Sequence, residues 1–271
     1  MVTACDLEEP DGSLAVETTA AGATVYIDGT AQSTTTANGE TRYSLPPGSY
    51  DVLVFKLGSA PCFERVTVDS DETVRLSCDD PEPTVLLDDD FQQYSDTSEV
   101  SDYDGESYVA SLQRDGDNQF LRIANDTDYY AVFNWPVDAA PEQNVVYAVS
   151  ILGYAPDTSA MALYLQSDTT DGLYGFGDNF TFSRPNDPNE PTEVLDDTLP
   201  GIAERADTDL VIITVESRIF VLKNGDLVID HLDSTETVQN ISGLQAEVNG
   251  QIGDPAGTNR GDFDDILVYT Y

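Results

Sequence analysis

The chain has 271 residues, with 51 Asp and Glu against 11 Lys and Arg and a formal net charge of -40. Lys56 and Lys223 are its only lysines, so no basic surface can follow a phosphate backbone, and nucleic-acid binding is excluded along with electrostatic attachment to anionic membranes. The length allows one large or two modest domains, and no apolar stretch is long enough to span a bilayer.

The acid excess has two compatible readings. One is a strongly hydrated surface whose self-repulsion is screened by counterions, as in salty or extracellular settings. The other is that some carboxylates converge on a divalent cation, calcium being the hard ion that oxygen ligands suit.

Residues 1–11 read as a flexible acidic tether, DLEEPDGS following Cys5. Val2-Thr3-Ala4-Cys5 resembles the lipobox of bacterial and archaeal lipoproteins. That resemblance implies lipidation at Cys5, which would then be the only membrane anchor, and an extracellular protein held at the cell envelope.

From residue 12 to residue 80 short apolar-alternating runs follow one another: SLAVE, ATVYIDG, ETRYSL, SYDVLVFKLG, FERVTVD and ETVRLSC. Pro47-Gly48 supplies a turn, and Tyr50, Val52 and Val54 alternate onto one sheet face. Cys62 and Cys78 bracket a strand, turn and strand, so a disulfide would tie two neighbouring strands and would stabilise by about 3 kcal/mol on the chain-entropy model. Such a bridge requires an oxidising compartment; two unpaired buried thiols are the alternative. The segments Ala23–Gly29 and Leu45–Tyr50, the latter running into Asp51–Val54, resemble the PEGA-type surface domain, a small β-sandwich of exported microbial proteins. The eponymous tetrapeptide stands here as Leu45-Pro46-Pro47-Gly48. The resemblance implies a spacer or docking unit without catalytic residues.

Residues 81–83, Pro-Glu-Pro, form an extended linker. Residues 84–271 then make one larger unit, again of short strands: VLLDDDF, DGESYVASL, QFLRIAN, DYYAVFNW, VVYAVSILGY, MALYLQS, DGLYGFG, a meander over Leu210–Asp230, LQAEVNG and FDDILVY. Within the meander Asn224-Gly225 marks a two-residue type I′ turn, because both central positions need positive φ. The opening Asp-Asp-Phe, the central Asp-Gly-Leu-Tyr-Gly-Phe, the Lys-Asn-Gly hairpin and the closing Phe-Asp-Asp strand resemble the concanavalin-like jelly roll of laminin-G-type modules, carbohydrate-binding modules and some glycosidases. The predicted class is therefore all-β, a small sandwich followed by a larger antiparallel jelly roll.

That second resemblance implies two kinds of site. A structural calcium would take Asp265 on the last strand, with Asp88 or Asp90 nearby if the terminal strands pair, since an ion removes the repulsion of adjacent carboxylates. Solvated strand-end aspartates are the plain alternative. A sugar would stack on aromatic side chains of a sheet face; the candidates are Trp135, Tyr130, Tyr164, Tyr174 and Phe176, with Trp135 expected to be partly exposed at a strand end. Core packing is the alternative for each. The paired-carboxylate run of concanavalin-like glucanases is absent. Glu193 to Asp197 lies in a proline-rich stretch read as a loop, and the sole histidine, His231, has no nucleophile elbow to serve. The expected function is an exported, lipid-anchored surface protein with a non-catalytic module for a polysaccharide or a cell-surface glycan or protein. A glycan-active hydrolase and a purely structural envelope protein are the alternatives.

Overall fold

A computed structural model describes residues 10–35, 40–79, 81–95, 108–125, 131–137, 144–155, 161–167, 170–177, 182–184, 193–196, 207–232, 241–248 and 260–271. Every regular element among them is a strand, and the chain divides into two compact units, Met1–Pro83 and Thr84–Tyr271.

Unit 1 contains β1 (Gly12–Thr18), β2 (Thr24–Ile27), β3 (Thr30–Thr34), β4 (Glu40–Leu45), β5 (Gly48–Phe55), β6 (Cys62–Val68) and β7 (Thr73–Cys78). They form a three-stranded sheet in the order β4-β1-β7 and a four-stranded sheet in the order β3-β2-β5-β6. Pairing is antiparallel except for β1 with β7, which run parallel. Alternate residues of both sheets, Leu14, Val16, Val25, Ile27, Val52, Val54 and Leu76 among them, meet in one buried cluster with Tyr50 packed against it. This is the period-two pattern of a strand with one wet face. The Cys62–Cys78 disulfide is formed, with a Cα–Cα distance of 5.7 Å. It ties two consecutive strands, as the sequence suggests. It links β6, an edge of the four-stranded sheet, to β7, an edge of the three-stranded sheet, and so clasps the two layers together. Strand β3, polar and exposed along its whole length, has no apolar alternation to announce it.

Unit 2 contains β8 (Thr84–Asp89), β9 (Tyr108–Asp115), β10 (Asn118–Asn125), β11 (Ala131–Pro136), β12 (Val145–Ala155), β13 (Met161–Ser167), β14 (Thr170–Gly177), β15 (Phe182–Arg184), β16 (Glu193–Asp196), β17 (Thr208–Val215), β18 (Arg218–Lys223), β19 (Asp226–Leu232), β20 (Ile241–Val248) and β21 (Arg260–Thr270). One sheet of eight strands runs β19-β18-β17-β12-β21-β10-β9, with β8 also on β21; the other, of six, runs β11-β20-β13-β14-β15-β16. Their facing side chains, including Leu121, Ile123, Tyr147, Ile151, Leu210 and Phe263 from the first and Phe133, Trp135, Leu163, Leu244 and Ala246 from the second, form a single core. At the β18–β19 turn Asn224 and Gly225 have φ of 51° and 84° and Lys223 faces Asp226, the two-residue hairpin the sequence demands. Glu193–Asp196, expected as loop, is a short strand paired with β15.

Strand β21 is the hub of the larger sheet. On one side it pairs with β12 throughout; on the other, residues 260–263 pair with β10 and residues 266–270 with β8. At the seam, Ser150 faces Asp264 and Val149 faces Ile266, so Asp265 is the extra residue of a bulge. Asp265 has a φ of 43°, the left-handed conformation that Asp tolerates better than most residues.

Candidate functional site

The bulge gathers carboxylates. Asp265 is exposed, and its carboxyl is held above the ordinary carboxylate range first by desolvation and then by the charges of Asp264, Asp90, Asp209 and Asp88. Two neighbours are already committed. Asp264, buried, accepts from Asn118 Nδ2 at 2.8 Å and from the Asp265 amide at 3.1 Å. Asp89, also buried, accepts from the Phe91 amide at 2.8 Å, from Gln93 Nε2 at 3.1 Å and from the Tyr94 hydroxyl at 2.7 Å. That knot holds Phe91 at a φ of 58°, unusual for an aromatic residue, with its ring in the core. Gln119, buried between, donates to the carbonyls of Phe91 and Tyr94 at 2.5 and 2.9 Å. Asp88, Asp90 and Asp265 are thus brought into one electrostatic neighbourhood, as the sequence suggests. Among the described residues no group of three or more His, Cys, Asp or Glu side chains is arranged to hold a metal ion.

The aromatic candidates fare differently. Trp135 is not partly exposed but 2% exposed. The alternation Phe133, Trp135, Val137 turns all three into the core, where the indole lies 4.7 Å from the Phe133 ring and 5.7 Å from that of Phe263. Its strand-end position does not open it to solvent, because β11 is covered by the facing sheet. Trp135 is therefore no stacking platform, and its Nε1 has no hydrogen-bond partner. Tyr164 lies on β13, and Tyr174 and Phe176 on β14; their side chains, and Tyr130 and Cys5 altogether, lie outside the described residues.

The site that sequence reasoning missed is on the outward face of the eight-stranded sheet. Leu121, Ile123 and Phe263 face the core, so Phe120, Arg122, Asp262 and Asp264 alternate to the other side. Arg122 faces Asp262 across β10 and β21, and Phe120 faces Gln113 across β10 and β9. Arg122 Nε and Nη2 donate to the two oxygens of Asp262 at 2.6 and 2.8 Å, a two-point pair with 23% and 13% side-chain exposure. The bond to Asp262 raises the guanidinium pKa further, with desolvation opposing. The guanidinium carbon sits 5.6 Å from the centroid of the Phe120 ring and roofs it. Around this pair opens a groove of about 480 Å³ lined by Gln113, Arg114, Asp115, Asn118, Phe120, Arg122, Leu152, Asp207 and Asp262. The alternation of Asn118, Phe120 and Arg122 with Gln119, Leu121 and Ile123 carries the signal in the sequence, but only the register against β21 brings Asp262 opposite Arg122.

Comparison with known proteins bears on unit 1 first. Residues 11–81 match the PEGA domain family model. The PEGA-matching segment spans all seven strands of unit 1 and ends three residues after Cys78. No curated protein sequence matches the chain. Among solved structures it is similar to a sialidase, with 13% identity, a TM-score of 0.47, and 82% of this chain and 21% of that chain covered. It is also similar to domain 4 of a GH43 extracellular arabinanase from Geobacillus stearothermophilus in complex with arabinotriose, with 11% identity, a TM-score of 0.45, and 69% and 93% coverage. A third is the carbohydrate-binding module CBM66 from Bacillus subtilis, with 13% identity, a TM-score of 0.39, and 59% and 92% coverage. The chain thus spans about a fifth of the sialidase.

Proposed function

We propose that this protein is an exported surface protein whose larger unit binds glycans without cleaving them, in the groove around Arg122 and Asp262. The groove carries the reading: a concavity of about 480 Å³, within the size range of small-ligand sites, floored by a fixed guanidinium–carboxylate pair and edged by amide and carboxylate side chains. Such a set offers donors and acceptors to the hydroxyls of a sugar ring at fixed positions, and the pair's mutual bonds hold both groups in place before ligand arrives. Export is supported by the PEGA match and by the formed disulfide, which persists in oxidising compartments. Within this reading unit 1 is the spacer and Cys5 the lipidated anchor, a concanavalin-like jelly roll being the module displayed. Calcium enters only as a counter-ion that would relieve the repulsion around Asp265.

The test is binding of the full chain to an array of soluble oligosaccharides, repeated with the double substitution R122Q/D262N, which removes the pair without leaving one charge alone. Binding that the double substitution abolishes supports the groove. Binding that survives it puts the glycan elsewhere, no binding at all removes the reading, and release of reducing ends would replace binding with hydrolysis. Anchoring is checked separately by mass spectrometry of the membrane-bound protein, which should show a diacylglyceryl adduct at Cys5 that the C5S variant lacks.

A further inference from the structure

The side-chain amide of Asn118, the first residue of β10, has only one orientation open to it. Gln92 Nε2 reaches the carbonyls of Asp90 and Gln119 at 2.8 and 2.7 Å and Asn118 Oδ1 at 3.0 Å, while Gln92 Oε1 accepts from the Gln119 amide at 3.1 Å. The backbone groups in this set have fixed polarity, so the Gln92 amide cannot be turned over and meets Asn118 only at an oxygen. On its other side Asn118 Nδ2 donates to Asp264 Oδ2 at 2.8 Å, a carboxylate that only accepts. One Nδ2 hydrogen is used in this way, and the other is committed to no described residue. Asn118 is half-buried and lines the groove, on the outward face of β10 with Phe120 and Arg122. The groove therefore has at this end an amide N–H whose direction is set from behind, by residues outside it.

The spacing of this donor from the Arg122–Asp262 pair limits what can meet both. Asn118 and Arg122 stand four residues apart on one strand, about 14 Å at the usual rise. Phe120 lies between them, 7% exposed under the guanidinium. A single pyranose ring falls well short of that span, and only a linked chain of rings reaches from one to the other. We propose that the groove takes several linked sugars of an oligosaccharide laid along β10, one on the Arg122–Asp262 pair and a later one accepting from Asn118 Nδ2. Gln92 is the positioning residue, acting only through the Asn118 amide. The inference rests on the glycan-binding reading of the same groove, and adds to it the length of the ligand and a binding residue at its far end.

The experiment titrates the full chain with β-1,4-linked glucose, mannose and xylose, each as mono-, di-, tri- and tetrasaccharide, by calorimetry and, for the weak short members, by NMR. In the series that binds best, affinity should rise about ten-fold or more from mono- to trisaccharide and then level off, as expected when further hydrogen bonds are gained along the chain. N118A should lower affinity for the tri- and tetrasaccharide about five-fold, the worth of one neutral hydrogen bond, and leave the shorter members unchanged. Q92L should show the same dependence on length, whereas R122Q/D262N should weaken every member. Equal affinity of the native protein for mono- and tetrasaccharide overturns the inference while leaving the groove a glycan site, and this readout needs no variant to fold. Tetrasaccharide binding that N118A leaves intact overturns it too, as does a loss as large for the disaccharide as for the tetrasaccharide, since that would mark a general disturbance of the sheet. If another member of the array binds instead, the length series is built from that glycan; if the whole array is negative, the inference falls together with the functional reading.

Discussion

Three side chains in unit 2 do work that burial alone does not reveal. Asp265 combines a left-handed backbone with a carboxyl whose proton affinity is raised in the folded protein. The native state therefore binds more protons than the unfolded chain as pH rises from the ordinary carboxylate range, and stability is lost over that window. D265N should raise the thermal midpoint at pH 7, since Asn accepts the same φ, with the gain fading below the ordinary carboxylate range; a midpoint difference that stays constant with pH would show that charge is not the cause. Tyr147 is 1% exposed, its hydroxyl has no partner, and burial pushes its pKa far up. An orphaned hydroxyl costs about 1–3 kcal/mol, so Y147F should stabilise, by about 2–4 °C in midpoint for each kcal/mol gained. Trp135, the only tryptophan, fills the core. W135A should cost about 3–5 kcal/mol, and in the native protein its fluorescence should resist iodide quenching and stay unchanged when glycan binds.

At the scale of strands and turns, the disulfide is the clearest determinant in unit 1. Because Cys62 and Cys78 join edges of different sheets, reduction should weaken the contact between layers rather than within them. Dithiothreitol should lower stability by about 3 kcal/mol, read as faster amide exchange in β1, β2 and β5, the strands facing the shared core. The strands themselves were legible in the sequence: wherever apolar residues recur at every second position, as in Val52 and Val54 or Leu210 and Ile212, a strand stands in the structure. So was Asn224-Gly225, whose conformation only a tight hairpin needs. Trp135 misled because its neighbour Pro136 suggested a strand end open to solvent, although the alternation with Phe133 and Val137 pointed inward. The bulge left a trace too, since Phe263 and Ile266 both face the core yet stand three apart. Of the groove, a single strand shows only the outward alternation of Asn118, Phe120 and Arg122 along β10; the rest is invisible there. It depends on which strands become neighbours, and pairing between β10 and β21 spans some 140 residues.

Taken whole, the molecule is a polyanion built from closely packed β-layers. Self-repulsion at a formal charge of -40 opposes the folded state, and salt screens it over about 8 Å at physiological strength. The thermal midpoint should therefore rise steeply between about 10 mM and 0.5 M sodium chloride, the span over which the screening length shrinks most. A flat response would mean that the acids are spaced widely enough not to interact. A stepwise rise on adding micromolar calcium, reversed by chelator and lost in D265N, would instead point to a specific ion at the bulge.

The position of β21 has a consequence for biogenesis. Residues 260–271 are synthesised after everything else in their unit, yet they occupy its middle, flanked by β12 on one side and by β10 and β8 on the other. Until they emerge, the eight-stranded sheet is three separate pieces, β19-β18-β17-β12, the β10–β9 pair and β8, with no strand to join them. A chain cut after residue 259 lacks the strand that joins these pieces and should remain in that open, protease-sensitive condition.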